Sequence, residues 1–365
     1  MNTENKYSTL KTGCQVKDEK KFDDKKNWEN KKKLNQKLAD YFFHGVYVSD
    51  KTLGYIENCW SWVNWATNDD RTRKKVLDAT PCNNRFCAVC NTLRSKRDTT
   101  ALGTVMRYIN VEHKKEFIFV TFTAPNVTED KLKAEINRQK LAFKNLCKRK
   151  ELLAVNKGYV CKHEITYNKN ELITEEMYYG DGKKKKPQKG YFEPRGLFVG
   201  DKNPNYNTYH VHLHIVFAVN ASYFKDKTYL NTDKWGGLWR SVMKDENINN
   251  PDVRRIRTGK DFKNIKEFTK YQAKATDYLI NQQVFDVFYR ALKGTKLMTY
   301  NGLFREGRKK YKAGELDKYK EMDNTEYTSA LEWRWWQRLE VYNVKERDFT
   351  EAELEKLVSE WGVFV

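Results

Sequence analysis

The stretch "TYHVHLHIVFAVN" (208–220) puts three of the chain's six histidines on alternate positions of an otherwise apolar run. In an extended strand alternate side chains share a face. Thr208, His210, His212, His214, Val216 and Ala218 therefore point one way, and Tyr209, Val211, Leu213, Ile215, Phe217 and Val219 the other. The second face is wholly apolar and belongs to a core. A lone strand histidine is more often structural than a ligand. Three imidazoles in register are costly to hold together unless a metal ion or an anion lies among them, so this row reads as a metal site.

Spacing narrows the ligands. Alternate Cα atoms in a strand are about 6.6 Å apart and metal–nitrogen bonds about 2.1 Å, so two neighbouring histidines can converge on one ion while three would span about 13 Å. A third ligand should come from elsewhere. In the strand "GYVCKHEITYN" (158–168), Tyr159, Cys161, His163 and Ile165 make the more apolar face and Val160, Lys162, Glu164 and Thr166 the more polar one. Glu164 is thus the candidate for the site and His163 for the core. Two imidazoles and a carboxylate with open positions suit Mg²⁺ or Mn²⁺ acting on a phosphoryl oxygen, and suit catalytic zinc as well.

Working outward, "EFIFVTFTAP" (116–125) reads as a strand stopped by Pro125, and 128–150 as an amphipathic helix with Thr128 as N-cap. The Gly, Pro and Lys run "GDGKKKKPQKG" (180–190) reads as a solvated hairpin or loop. A helix with Trp235 and Trp239, a short strand over 252–259 and a long helix over 261–283 follow. The order β, α, β, β, α, β, α predicts an α+β fold: a ferredoxin-like (RRM-like) antiparallel sheet with helices on one face and the other left for a site. Four regions are expected: a basic flexible arm over 1–45 that ends in a helix near Trp28 to Phe43, a four-cysteine zinc-binding module over 46–105, the α+β domain over 106–285, and a helical, basic C-terminal region over 286–365. Within the last, "EWRWWQR" (332–338) suits a helix with core tryptophans, or rings and cations laid against bases.

The helix over 261–283 carries a second constellation. At 100° per residue, Glu267, Tyr271, Lys274 and Tyr278 fall within about 60° of one another, apart from an apolar stripe of Ile265, Phe268, Ala275 and Leu279. Alone, this is a solvated Glu and Lys pair beside two half-buried tyrosines. Next to a metal the same groups acquire roles. A phenol, with a reference pKa of about 10, needs a neighbouring positive charge to become a nucleophile, and Lys274 could supply it.

Of seven cysteines, Cys82, Cys87 and Cys90 stand in "CNNRFCAVC", and with Cys59 they make four thiolates with the spacing of a closed, structural Zn²⁺ site. Lys and Arg number 69 against 49 Asp and Glu, a formal charge of +20, and aromatics make up 14%. That balance calls for a polyanionic partner, nucleic acid above all. No run approaches a membrane span or a signal-peptide core, so a cytoplasmic protein is expected.

Taken together, these pieces resemble the rolling-circle replication initiator (Rep) proteins of small Gram-positive plasmids, in the HUH endonuclease superfamily. The resemblance rests on "CNNRFCAVCNTLRSKR", "FVTFTAPNV" (119–127), "YHVHLHIVFAVNASYF" (209–224) and "EFTKYQAKATDY" (267–278), in that order, with a weaker fifth block, "YNGLFREGRKKYK" (300–312). It implies that His212 and His214 are the HUH metal pair, Tyr271 the nucleophile and Glu267 the carboxylate that activates water in the closing cleavage. It further implies plasmid origin DNA as substrate, and a host helicase, single-strand binding protein and DNA polymerase as partners. Val211 stands where Pro commonly separates the first two histidines, which leaves His210 a further candidate; Tyr278 is a further candidate nucleophile. A relaxase or transposase shares the chemistry, and a zinc-containing DNA-binding regulator would carry the same residues without it.

Overall fold

The computed structural model describes residues 23–45, 48–182, 187–256, 262–269, 272–321 and 323–361. Its strands are β1 (Trp62–Thr67), β2 (Lys74–Ala79), β3 (Lys115–Thr123), β4 (Gly158–Asn168), β5 (Thr208–Asn220), β6 (Asp252–Ile256), β7 (Thr299–Asn301), β8 (Ser329–Trp336) and β9 (Val341–Arg347). They form two antiparallel sheets, one of five strands in the order β6-β3-β5-β4-β7 and one of four in the order β2-β1-β8-β9. The fold is mixed α+β. The histidine strand, β5, lies at the centre of the larger sheet.

Strand alternation sorts the larger sheet's faces as the sequence predicts. Leu213, Ile215, Phe217 and Val219 of β5 join Ile118, Val120 and Phe122 of β3 in one core. That core is closed by α4 (Leu132–Leu146), α5 (Lys150–Val155) and α8 (Thr232–Met243), through Phe143, Leu146, Leu152, Trp235 and Trp239. Trp239 Nε1 donates to the Thr123 carbonyl at 2.9 Å, which fastens α8 to the end of β3.

The opposite face is not left open along its length. Phe117, Phe119, Val216 and Ala218 pack there against α3 (Ala88–His113), α9 (Phe262–Thr269) and α12 (Gly302–Lys312), through Val105, Met106, Ile265, Phe268 and Phe304. The histidine end of this face carries Thr121, Lys162 and Glu164 beside the histidines. Apolar residues alternate with the histidines' own parity at Val216 and Ala218, and burying them is favourable, so helices cover that half.

The expected helix over 261–283 is broken. α9 ends at Thr269, and α10 (Ala275–Tyr278) and α11 (Gln282–Leu292) follow as separate pieces. Between α9 and α10 the chain meets the edge of β4, where Ile165 N–H donates to the Gln272 carbonyl at 2.7 Å. This tertiary hydrogen bond at a strand edge prevails over helical periodicity. Thr128 starts a short 3₁₀ turn rather than capping α4, and its hydroxyl bonds the Asp130 carboxylate instead.

Two further expectations are corrected. The region after 285 is not uniformly helical: β7 extends the larger sheet, and β8 and β9 complete the smaller one beside β1, with α13 (Glu351–Trp361) at the end. "EWRWWQR" lies largely in β8, where Trp333 and Trp335 are buried and Arg334 and Trp336 exposed, a period of two rather than 3.6. At the other end, the helix expected near Trp28 to Phe43 is present as α1 (Asp23–His44), but it is docked rather than the end of a flexible arm. It buries Trp28, Leu38 and Phe42 in the core that also holds Cys59, Cys87 and Cys90, next to α2 (Asp50–Glu57). Residues 1–22 of the expected arm lie outside the described residues. In the insertion, α6 (Glu175–Tyr179) and α7 (Lys189–Phe192) make a small cluster of Ile173, Tyr178 and Phe192, so Lys189 and Gly190 are helical; residues 183–186 lie outside the description.

Candidate active site and metal centres

β5 sits between β3 and β4, with His212 paired to Thr123 on one side and Glu164 on the other, and His214 paired to Thr121 and Lys162. The register therefore delivers Glu164 beside the histidines. Glu164 Oε2 lies 2.8 Å from His214 Nε2, and Thr121 Oγ1 lies 2.9 Å from His214 Nδ1. Burial by itself would raise the Glu164 carboxyl. The hydrogen bond from His214 and the charges of His214, Lys162 and His212 outweigh it and bring the group down to about 2. An ionised carboxylate only accepts, so His214 Nε2–H donates to it. Phe119 stacks on the same ring at 5.6 Å and 7°.

His212 and His214 stack at 5.8 Å and 12°, and His210 lies 4.3 Å from His212 between ring centres. Burial first, then the neighbouring His210 and His214, push the His212 imidazole down to about 3, with Lys274 adding to the effect. A neutral imidazole at ordinary pH is a competent ligand. The donor types fit a divalent ion, with the His214 and Glu164 ligand atoms facing each other 2.8 Å apart. They are less tightly gathered than the cysteines: among the described residues, only the four thiols have every candidate ligand atom within 4.8 Å of the others.

The second constellation is only partly brought together. Lys274 is exposed near His212, while Glu267 on α9 is exposed and pairs with Arg254 of β6 at 3.6 Å. No hydrogen bond or ion pair among the described residues joins Glu267 to the histidines. Tyr271 lies outside the described residues, but its neighbour Gln272 is the residue fastened to Ile165, one position from Glu164. Tyr278 is corrected as a candidate nucleophile. It is 1% exposed, packs on Phe86 and Phe288, and its hydroxyl donates to the Phe86 carbonyl. His163 is in the core, as its parity predicts.

Sequence reasoning passed over Thr121, Phe119 and Asp277. Burial raises the Asp277 carboxyl to about 6, against the pull of Lys274 and Lys169, and Glu164 adds to the rise. Thr121 shares a strand face with Phe119 and Thr123, but nothing in the sequence gives the β3 to β5 register that sets it against His214.

The cysteines converge from three places: Cys59 after α2, Cys82 in the loop after β2, and Cys87 and Cys90 at the start of α3. Sulfur separations are 3.5 Å for Cys59 to Cys90, 3.6 Å for Cys59 to Cys87 and 3.7 Å for Cys82 to Cys90. Four sulfurs set tetrahedrally at about 2.3 Å from zinc would be about 3.8 Å apart, so the set fits the ion. Backbone N–H groups of Cys82, Asn84 and Cys90 donate to the sulfurs of Cys59, Cys82 and Cys87, which suits thiolates.

The chain matches the family described as Replication protein over residues 73–343, and it belongs to that family. Among its relatives, a "Protein rep" of Staphylococcus aureus is 34% identical over 256 residues, covering 70% of this chain and 95% of the relative. A "Protein rep" of Lentilactobacillus hilgardii is 27% identical, covering 80% and 84%. Another from Streptococcus pneumoniae serotype 2 is 26% identical, covering 84% and 87%. No solved structure matches the chain significantly. No helix among the described residues is long and apolar enough to cross a membrane.

Proposed function

We propose that this protein initiates rolling-circle replication of a plasmid by nicking one strand at the origin. The placement of His212, His214 and Glu164 on adjacent strands, beside Lys274 and the chain fastened at Gln272, is the observation that carries this reading. The order β6-β3-β5-β4 is the one a ferredoxin-like HUH core would have, and we assign that core to 106–285, with the cysteine module over 46–105 as a closed structural zinc site.

His212, His214 and Glu164 would hold a divalent ion, Mg²⁺ or Mn²⁺, whose chemistry there is withdrawal of charge from a phosphoryl oxygen. Tyr271 Oη would attack the scissile phosphorus in line, with Lys274 stabilising the phenolate. The phenol's proton would pass to solvent and the P–O3′ bond would break, the 3′ oxygen taking up a proton from solvent to become the hydroxyl that primes synthesis while the 5′ phosphate stays on the tyrosine. Because the phosphoester bond is exchanged rather than hydrolysed, rejoining needs no ATP. In the closing cleavage Glu267 would take a proton from water, whose oxygen would attack the regenerated origin phosphodiester and free a 3′-hydroxyl. That hydroxyl would then displace the Tyr271 phenol from the 5′ phosphate, rejoining the strand and releasing the enzyme. The pairing of Glu267 with Arg254 at the sheet's edge means it must leave that cation to act. Helicase, single-strand binding protein and polymerase of the host would follow the nick.

The test is incubation with Mn²⁺ and a labelled single-stranded oligonucleotide from the plasmid's own origin. A covalent adduct with the wild type and none with Tyr271→Phe is the expected result. Adduct from Tyr271→Phe would remove this tyrosine from the mechanism, and no adduct from the wild type would favour a DNA-binding regulator.

A further inference from the structure

Lys32 of α1 is 0% exposed, yet among the described residues its ammonium meets no carboxylate. It donates to the Glu57 carbonyl at 2.8 Å, the Cys59 carbonyl at 2.7 Å and Ser61 Oγ at 3.1 Å, all neutral oxygens. A buried ammonium with hydrogen bonds but no anion is strongly disfavoured, and native proteins pair such charges or set them by a metal centre. The groups of potential negative charge that act on Lys32 are the thiols of Cys59, Cys87 and Cys82, and Cys59 also supplies a carbonyl that Lys32 touches. Four neutral thiols would leave Lys32 uncompensated. Four thiolates with one divalent ion carry a net charge of −2, which the ammonium reduces to −1.

We propose that Lys32 is the counter-charge of a divalent metal bound by Cys59, Cys82, Cys87 and Cys90, and that the metal in turn holds α1 against the molecule. This rests on the four-thiolate reading of the cluster. Lys32 and Cys59 precede residue 73, where the family match begins, while Cys82, Cys87 and Cys90 lie within it, so the coupling ties a segment outside the match to one inside. α1 has the contacts to report it. Trp28 stacks on Trp60 at 5.0 Å and 5°, Asn35 Nδ2 donates to the Ile56 carbonyl at 2.6 Å, and Leu38 and Phe42 are buried. With the metal gone, the four sulfurs are no longer held together beside the carbonyl that Lys32 grips, and the Lys-rich helix loosens. The metal thus acts on α1 through charge, across one residue, without touching it.

Lys32→Met keeps the length and apolar stem of the side chain and removes the charge. Zn²⁺ affinity would be measured by competition with a chromogenic chelator on the full chain, and trypsin cleavage within α1 followed with and without chelator. The expected result is a tenfold or greater loss of Zn²⁺ affinity in Lys32→Met, together with an α1 whose cleavage no longer responds to chelation. Asn35→Ala removes a neutral contact of the same helix and should leave Zn²⁺ affinity within about twofold. Equal affinity in Lys32→Met and wild type, or equal losses in Lys32→Met and Asn35→Ala, would overturn the proposal. A wild type that binds no stoichiometric Zn²⁺ would overturn the four-thiolate reading itself.

Discussion

His163 and His214 stand on neighbouring strands and have opposite fates, set by which face each occupies. His214 has both ring nitrogens satisfied, by Glu164 and Thr121, whereas His163 Nε2 is buried with no partner among the described residues. Burial, helped by Lys140 and His214, pushes the His163 imidazole down to about 3. Its folded pKa lies below the value near 6.5 expected of an unfolded chain, so folding favours the neutral ring. The stability this preserves is complete above about pH 6.5 and is lost as pH falls toward 3. At pH 5 the loss comes to about 2 kcal/mol. His163→Leu should therefore flatten the dependence of unfolding free energy between pH 7 and 5 by about that amount, read from urea titrations at each pH. An unchanged slope would assign the acid sensitivity to other groups. At this scale the sequence was informative wherever parity alone decides: it separated His163 from Glu164 correctly, and it could not see Thr121.

At the scale of elements, the larger sheet is clamped where β4 begins and α12 begins. Gly158 and Gly302 form a backbone bridge, and Gly302 has φ of +52°. A Cβ on Gly302 would lie 2.6 Å from the Lys157 carbonyl oxygen and 2.7 Å from Gly158 Cα, both backbone atoms that cannot swing aside. Gly302→Ala is expected to cost about 2–3 kcal/mol through strain and steric displacement, seen as a lower melting temperature. A melt unchanged from wild type would mean the two backbones separate freely. The same clamp sends α12 across α3, where Gly307 lets the helices approach against Val105 and Tyr108. The strands β4 and β5 were legible in sequence to the residue, because β5 has a strictly apolar face and β4 one that is apolar apart from His163. The helix over 261–283 was not, since its periodicity is real on both sides of a break that the β4 edge imposes.

At the scale of the whole molecule, segments far apart in the chain are joined. β1 pairs with β8, and the core around the cysteine cluster takes Trp65, Trp333 and Tyr342 together with α1 and α11. A chain ending after Thr328 would leave the edge of β1 unpaired and the rings of Trp60 and Trp65 uncovered. It should lose bound zinc and aggregate, measured by metal content and gel filtration; a soluble, zinc-loaded truncation would show that β1 and β2 need no partner strands. The sequence by itself determined the central strands, the sidedness of the histidines, the four cysteines and the basic charge, because each depends on local periodicity, spacing or composition. Only the tertiary structure decided that Glu164 meets His214, that the tyrosine segment breaks, that "EWRWWQR" is a strand and that Lys32 lies beside the thiols. Those outcomes depend on register, edge pairing and the burial of charge between segments distant in the chain, and no window of sequence contains both partners.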